Sequence, residues 1–118
     1  MDRVHIFVST GRFESFDELD SFVHKAYSPD GCGINSQFME EVQLTNYEPM
    51  CIEISITDKG NVAALTDLLS GASYSGQWID RIDANVTADA AICVFSPNEL
   101  GQPGGTSLVY IGCFEYRV

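Results

Sequence analysis

An α/β (α+β) domain built on a central sheet of about four strands is the fold class this sequence predicts, and three observations predict it. Apolar residues alternate at Val4, Ile6 and Val8, and again at Met50, Ile52, Ile54 and Ile56, the spacing of strands buried on one face. Two further apolar runs, AAICVF from Ala90 and LVYIGCF from Leu108, are short and rich in strand-forming residues. Between these stretches, apolar residues recur every three or four positions, as on amphipathic helices. The expected order is β-α-α-β-α-α-β-β, with helices packed on the sheet in two or three layers. The whole of 1–118 has the length of a single domain.

In the first strand, Val4, Ile6 and Val8 face one way and His5, Phe7 and Ser9 the other, until Thr10-Gly11-Arg12 breaks it. Ser15-Phe16-Asp17-Glu18 then has the form of a capping box, in which Ser15 accepts from the third amide and Glu18 reaches back to the Ser15 amide. The helix that follows lines up Phe16, Leu19, Phe22, Val23 and Ala26, with Asp17, Glu18, Asp20 and Lys25 on its other face. Tyr27 to Gly33 is a loop by its proline and glycines. Ser36 is placed to cap a short helix over 37–42 that offers Phe38 and Val42 to the core and Glu40 and Glu41 to solvent.

Pro49 marks the entry to the second strand, where Met50, Ile52, Ile54 and Ile56 oppose Cys51, Glu53 and Ser55. Thr57-Asp58-Lys59-Gly60 turns the chain out of it. A helix is expected from Asn61 to Ser70, with Val62, Leu65, Leu68 and Leu69 inward and Gly71 as its stop. Over 73–83, Trp78, Ile79 and Ile82 fit a helical face with Asp80, Arg81 and Asp83 outside. Asn85 to Ala88 leads to a third strand, Ala90 to Ser96. The polar loop Pro97 to Thr106 is too long for a tight hairpin, and the last strand, Leu108 to Tyr116, is expected to form an antiparallel pair with the third.

Seventeen acids against six Lys and Arg give a net charge of −11. Such a chain is repelled by nucleic-acid phosphates and by anionic membranes. No apolar run approaches the roughly 20 residues that cross a bilayer. The opening Met1-Asp2-Arg3-Val4-His5 carries neither a basic leader nor an apolar h-region, so a cytoplasmic location is expected. Solubility alone accounts for many acids; the sharper reading is that they steer a basic partner, since charge complementarity raises association rates. Cys32, Cys51, Cys93 and Cys113 form no close ligand pair. Cys93 and Cys113 sit in apolar strand runs as reduced buried thiols, and Cys32, between glycines, is the one expected at the surface.

Catalysis requires a nucleophile, a base and an orienting group in mutual support. His5 falls mid-strand and His24 on a helix, neither beside a nucleophile motif. The stretch 101–105 is glycine-rich but lacks the lysine of a phosphate loop. Asp80, Asp83 and Asp89 lie close in sequence without the glycine and terminal glutamate of a calcium loop. No enzyme activity, metal or cofactor is expected. Binding has firmer support. Tyr27, Tyr47, Tyr74 and Trp78 sit in loops or at element ends, and such aromatics anchor protein interfaces. Trp78 also suits the core of its helix, and Tyr47 also suits a plug between helix and strand. Tyr47-Glu48 beside Glu40-Glu41 forms an aromatic and acidic patch fitted to lysine and arginine. Glu53 on the second strand and Asp80 beside Trp78 complete the candidate contact residues.

The stretches VHIFVSTGRFESFDELDSFV, SQFMEEVQLTNYEPMCIE and ANVTADAAICVF resemble the Immunity protein 22 family, bacterial proteins inferred to neutralise toxin domains of polymorphic toxin systems. The likeness runs from Val4 to about Phe95. Phe38, Tyr47, Glu48 and Glu53 match positions of that family's pattern, while Met50 stands where a second acid would be looked for. The resemblance implies an immunity protein without turnover, bound tightly to one cognate toxin domain in the cytoplasm. Charge adds the inference that the toxin is a basic nuclease. A small acidic regulatory or adaptor domain, or a carboxylate-dependent hydrolase, is the alternative; a neighbouring gene for a multidomain toxin would favour the first.

Overall fold

The computed structural model describes residues 1–58 and 61–118. Four strands form the central sheet: β1 (Asp2–Ser9), β2 (Ile52–Ile56), β3 (Ala90–Phe95) and β4 (Val109–Tyr116). Their order is β4-β1-β3-β2, with every pairing antiparallel. The expected mixed class and four-stranded sheet are present. The expected pairing of the last two strands is not, because β1 lies between β3 and β4. The reason lies in β1 and β4. In β1, Val4, Ile6, Phe7 and Val8 are buried, and because successive side chains alternate between faces the run Ile6 to Val8 is covered on both, as on an interior strand. β4 takes the outer place, where Val109, Cys113 and Glu115 stay exposed. The exposure of Cys113 corrects the expectation of a buried thiol, since an outer strand has a neighbour on one side only.

Each face of the sheet carries its own core. Val4, Ile6, Val8, Ala91, Cys93 and Phe95 pack with Leu65, Leu69, Trp78 and Ile82 on one side. On the other, Phe7, Ile92 and Val94 meet Leu19, Phe22, Val23, Phe38 and Val42. The protein is therefore a three-layer sandwich. Helices α1 (Phe16–Val23) and α2 (Gln37–Glu41) cover the second face. Helices α3 (Leu65–Leu68) and α4 (Ser75–Trp78), with a 3₁₀ turn over Ile79–Arg81, cover the first.

Local chemistry explains the helix starts. Ser15 Oγ accepts from the Glu18 amide at 3.1 Å, as the capping box requires. Its reciprocal arm lands one residue early, Glu18 accepting from the Glu14 amide at 3.1 Å. Ser36 is used twice: its hydroxyl accepts from the Met39 amide at 3.1 Å and donates to the Val23 carbonyl at 2.7 Å. One buried side chain thus starts α2 and closes the end of α1.

Several helix and strand limits, and the exposure of two residues, differ from expectation. Phe16 and Val62 are half exposed instead of inward, and Ala26 leaves the first helix for a short pairing with Ile34. The helix expected over 61–70 begins only at Leu65, because Ala63 and Ala64 pair with Ala88 and Thr87. Met50 does not belong to the second strand. Pro49–Cys51 makes a 3₁₀ turn there, and Met50 is 87% exposed. The turn expected at Thr57–Gly60 falls partly on Lys59 and Gly60, which lie outside the described residues.

The long loop after β3 is stitched to the link between α2 and β2. Glu99 and Leu100 pair with Thr45 and Leu44, and the Gly101 and Gln102 amides donate to the Gln43 and Val42 carbonyls, each at 3.0 Å. Gly105 packs so closely that a Cβ there would collide with the Glu41 carbonyl oxygen.

Candidate partner-binding surface

The predicted contact residues fall into three groups. Glu40 is exposed on α2, with one long contact from Asn35 Nδ2 at 3.4 Å. Glu41 is engaged inside the molecule: it accepts from the Ser107 amide at 2.8 Å, from the Ser107 hydroxyl, and from Gln37 at 2.8 Å. Partial burial pushes the Glu41 carboxyl upward, but those hydrogen bonds and the Arg12 guanidinium outweigh it and hold the group below its ordinary value. Its lone pairs go to a loop of its own chain.

Tyr47 is the plug that its alternative reading described. Its hydroxyl lies 2.9 Å from His24 Nδ1 and accepts from the Lys25 amide at 3.4 Å. Lys25 Nζ lies 5.4 Å from the ring centre, within cation–π range. Glu48 is fixed through its backbone, the Asn98 side chain exchanging bonds of 2.7 and 3.0 Å with it. Glu48 Oε1 also accepts from the Met50 amide at 3.2 Å. Together these contacts hold the 3₁₀ turn that presents Met50 outward.

Trp78 is fully buried, donating to the Ser73 carbonyl at 3.3 Å, which corrects its placement as a contact residue. Its ring is the largest fully buried side chain and belongs to the core of the first face. Asp80 stays exposed on the neighbouring 3₁₀ turn. Glu53 faces the same layer from β2, accepting from the Ser73 amide at 3.0 Å and from the Ser73 hydroxyl.

Two clefts border β2. One, of about 320 Å³, is lined by Asp2, Met50, Cys51, Glu53, Tyr74 and Tyr116 among others. Tyr74 stacks on Tyr116 with ring centres 4.8 Å apart. It holds φ at +57°, a left-handed backbone that is uncommon for an aromatic residue and gathers at functional sites. The other cleft, of about 510 Å³, runs between α1 and the segment after α3, touching Phe16, Asp20, His24, Ile52, Ile54 and Leu68. Asp20, Phe16 and Tyr74 join this surface only in three dimensions. Sequence reasoning placed the first two on a helix, gave Tyr74 a loop, and had no means of knowing that β2 is an outer strand.

Among the described residues, one acid–base contact within 4 Å is present, His24 Nε2 to Asp20 Oδ1 at 3.9 Å. The acids are therefore largely uncompensated by neighbouring cations. Asp80, Asp83 and Asp89 do not converge: Asp80 and Asp83 are exposed, while Asp89 is buried and accepts from the Gly11 amide at 2.7 Å. No group of three potential His, Cys, Asp or Glu metal ligands occurs among the described residues. None of their helices is long and apolar enough to cross a membrane.

Comparison with protein-family models matches residues 6–117 to the family described as Immunity protein 22. Neither the curated proteins nor the solved structures compared contain a match.

Proposed function

This chain belongs to the Immunity protein 22 family, and from that premise we propose that it binds one cognate toxin domain and neutralises it by covering a basic surface. The observation that carries the reading is the family match across nearly the whole chain. The charge gives it a physical form. Acids at net −11 with few internal cation partners attract a basic domain at long range and speed encounter. A basic nuclease is the toxin class that this charge suits best, because such an enzyme must itself attract phosphates. The chain acts in the cytoplasm, where such a toxin would meet the producing cell's nucleic acid, and it inhibits by occupancy without turnover.

Co-expression with the toxin domain encoded beside its gene tests this. The expected outcome is survival of the cells and a purified complex whose affinity falls as salt rises, because exposed charge pairs are screened. Glu40→Lys combined with Glu48→Lys is expected to slow association several-fold. Cell death despite expression of a folded chain would sink the proposal.

A further inference from the structure

Of the two clefts beside β2, the smaller reaches across the end of the sheet to Asp2, Phe95 and Tyr116, and the larger lies along the open edge. Four consecutive residues, Ile52 to Ser55, line the larger one. Side chains of successive strand residues point to opposite faces, so four in a row reach one cleft only if that cleft looks onto the backbone edge. β2 pairs with β3 on one side, in unbroken register from Ile52 to Ile56, and ends the sheet on the other. Its outer row of amides and carbonyls therefore lies at the floor of a groove walled by both helical layers.

We propose that this edge receives an extended segment of the cognate toxin domain as an added antiparallel or parallel strand, and that the segment carries Lys or Arg. The inference rests on the toxin-binding reading above. Main-chain bonds to an open edge supply affinity, and pockets for alternate side chains supply selectivity. Here alternate positions of the added strand face the α1 wall, with Asp20 and Phe16, and the opposite wall, with Glu53 and Leu68. No Lys or Arg lines either cleft, so basic residues fit both walls.

The other outer strand offers a poorer edge. β4 breaks register opposite Ile6 and Phe7, with Gly112 at φ +152°. Such a bulge twists an edge away from further pairing. Its C-terminal end is also tied down, Gln77 exchanging bonds of 2.7 and 2.8 Å with the Arg117 backbone. A second copy of this chain is a poor occupant of the β2 groove. Pairing β2 with itself would bring two Glu53 and two Asp20 carboxylates into one cleft, and like charges across paired strands destabilise them.

The test is hydrogen–deuterium exchange on the full chain, free and bound to the toxin domain encoded by the adjacent gene, with Asp20→Lys and, on the far outer strand β4, Glu115→Lys as a charge-matched pair. Glu115 is exposed and the Asp20 side chain is half exposed beside His24, so the melting temperature of each free variant is compared with that of the parent to separate lost binding from lost folding. Amides within 52–56 are expected to gain protection on binding. Asp20→Lys is expected to weaken the complex about tenfold or more, and Glu115→Lys by no more than about twofold. A complex that forms with unchanged exchange over 52–56, or with equal losses in the two variants, overturns the edge-docking inference and leaves toxin binding standing. Failure to form any complex overturns both. Protection of 52–56 in the chain alone, with a dimer in sedimentation, replaces the toxin strand by a second copy.

Discussion

At the scale of single residues, His5 shows how burial converts into pH dependence. Its Nδ1 lies 2.9 Å from the Tyr110 hydroxyl. Burial, helped by the Arg3 charge, lowers its pKa below the ordinary 6.5. A histidine depressed on folding binds fewer protons in the native state than in the unfolded chain between the two pKa values. Stability is then unaffected by His5 above about pH 6.5 and falls as pH drops through that value toward the folded one. His5→Gln keeps a polar partner for Tyr110 without titrating, so its unfolding free energy measured by urea between pH 5 and pH 7 should vary less than that of the parent. An equal slope in both proteins would place the acid sensitivity elsewhere. Cys93 differs in kind: burial pushes its thiol up to about 12, so it is inert in the folded chain.

At the scale of elements, Ser36 is the joint most open to test. It satisfies an orphan amide of α2 and a carbonyl at the end of α1 from a buried position. Ser36→Ala leaves both without a partner and should cost about 1–3 kcal/mol of stability, read from the urea midpoint at constant slope. A loss below a few tenths would mean that water replaces both bonds. This cap was legible in the sequence, as were the cores of α1 and α2 and the apolar run of β3. Limits were less legible because packing sets them: Ala63 and Ala64 chose a strand partner remote in sequence, and Pro49 opened a 3₁₀ turn where alternation suggested a strand. Sheet order was not legible either. Pairing of the last two strands is the short-range expectation, and it is the fuller burial of β1 than of β4 that favours inserting β1 between them. The candidate surface inherits that difficulty, since an edge exists only once strand order is known. Glu41 and Trp78 shared the signals of surface contact residues with Glu40 and Asp80, and their internal partners, Ser107 and the sheet core, lie far along the chain.

At the scale of the whole molecule, the charge acts on folding and on binding with opposite signs of salt dependence. Net −11 on 118 residues, with one weak acid–base contact among the described residues, means that self-repulsion opposes the compact state. Screening relieves it: the Debye length shrinks from about 30 Å at 0.01 M salt to about 8 Å at 0.15 M. The melting temperature of the free chain should therefore rise between those two sodium chloride concentrations. Affinity for the basic partner should fall over the same interval, because screening also weakens attraction between the two proteins. The two measurements separate causes that either alone would confuse. A complex weakened only because its immunity partner unfolds would lose affinity together with stability, whereas electrostatic recognition loses affinity while stability climbs. Neutralising Glu40 and Asp80 to their amides should flatten the stability curve, since each removes a repelling charge from the surface without touching the core. A melting temperature that falls with salt would instead reveal attractive pairs that outweigh the acid surplus, and the steering role given to the acids would lose its physical basis.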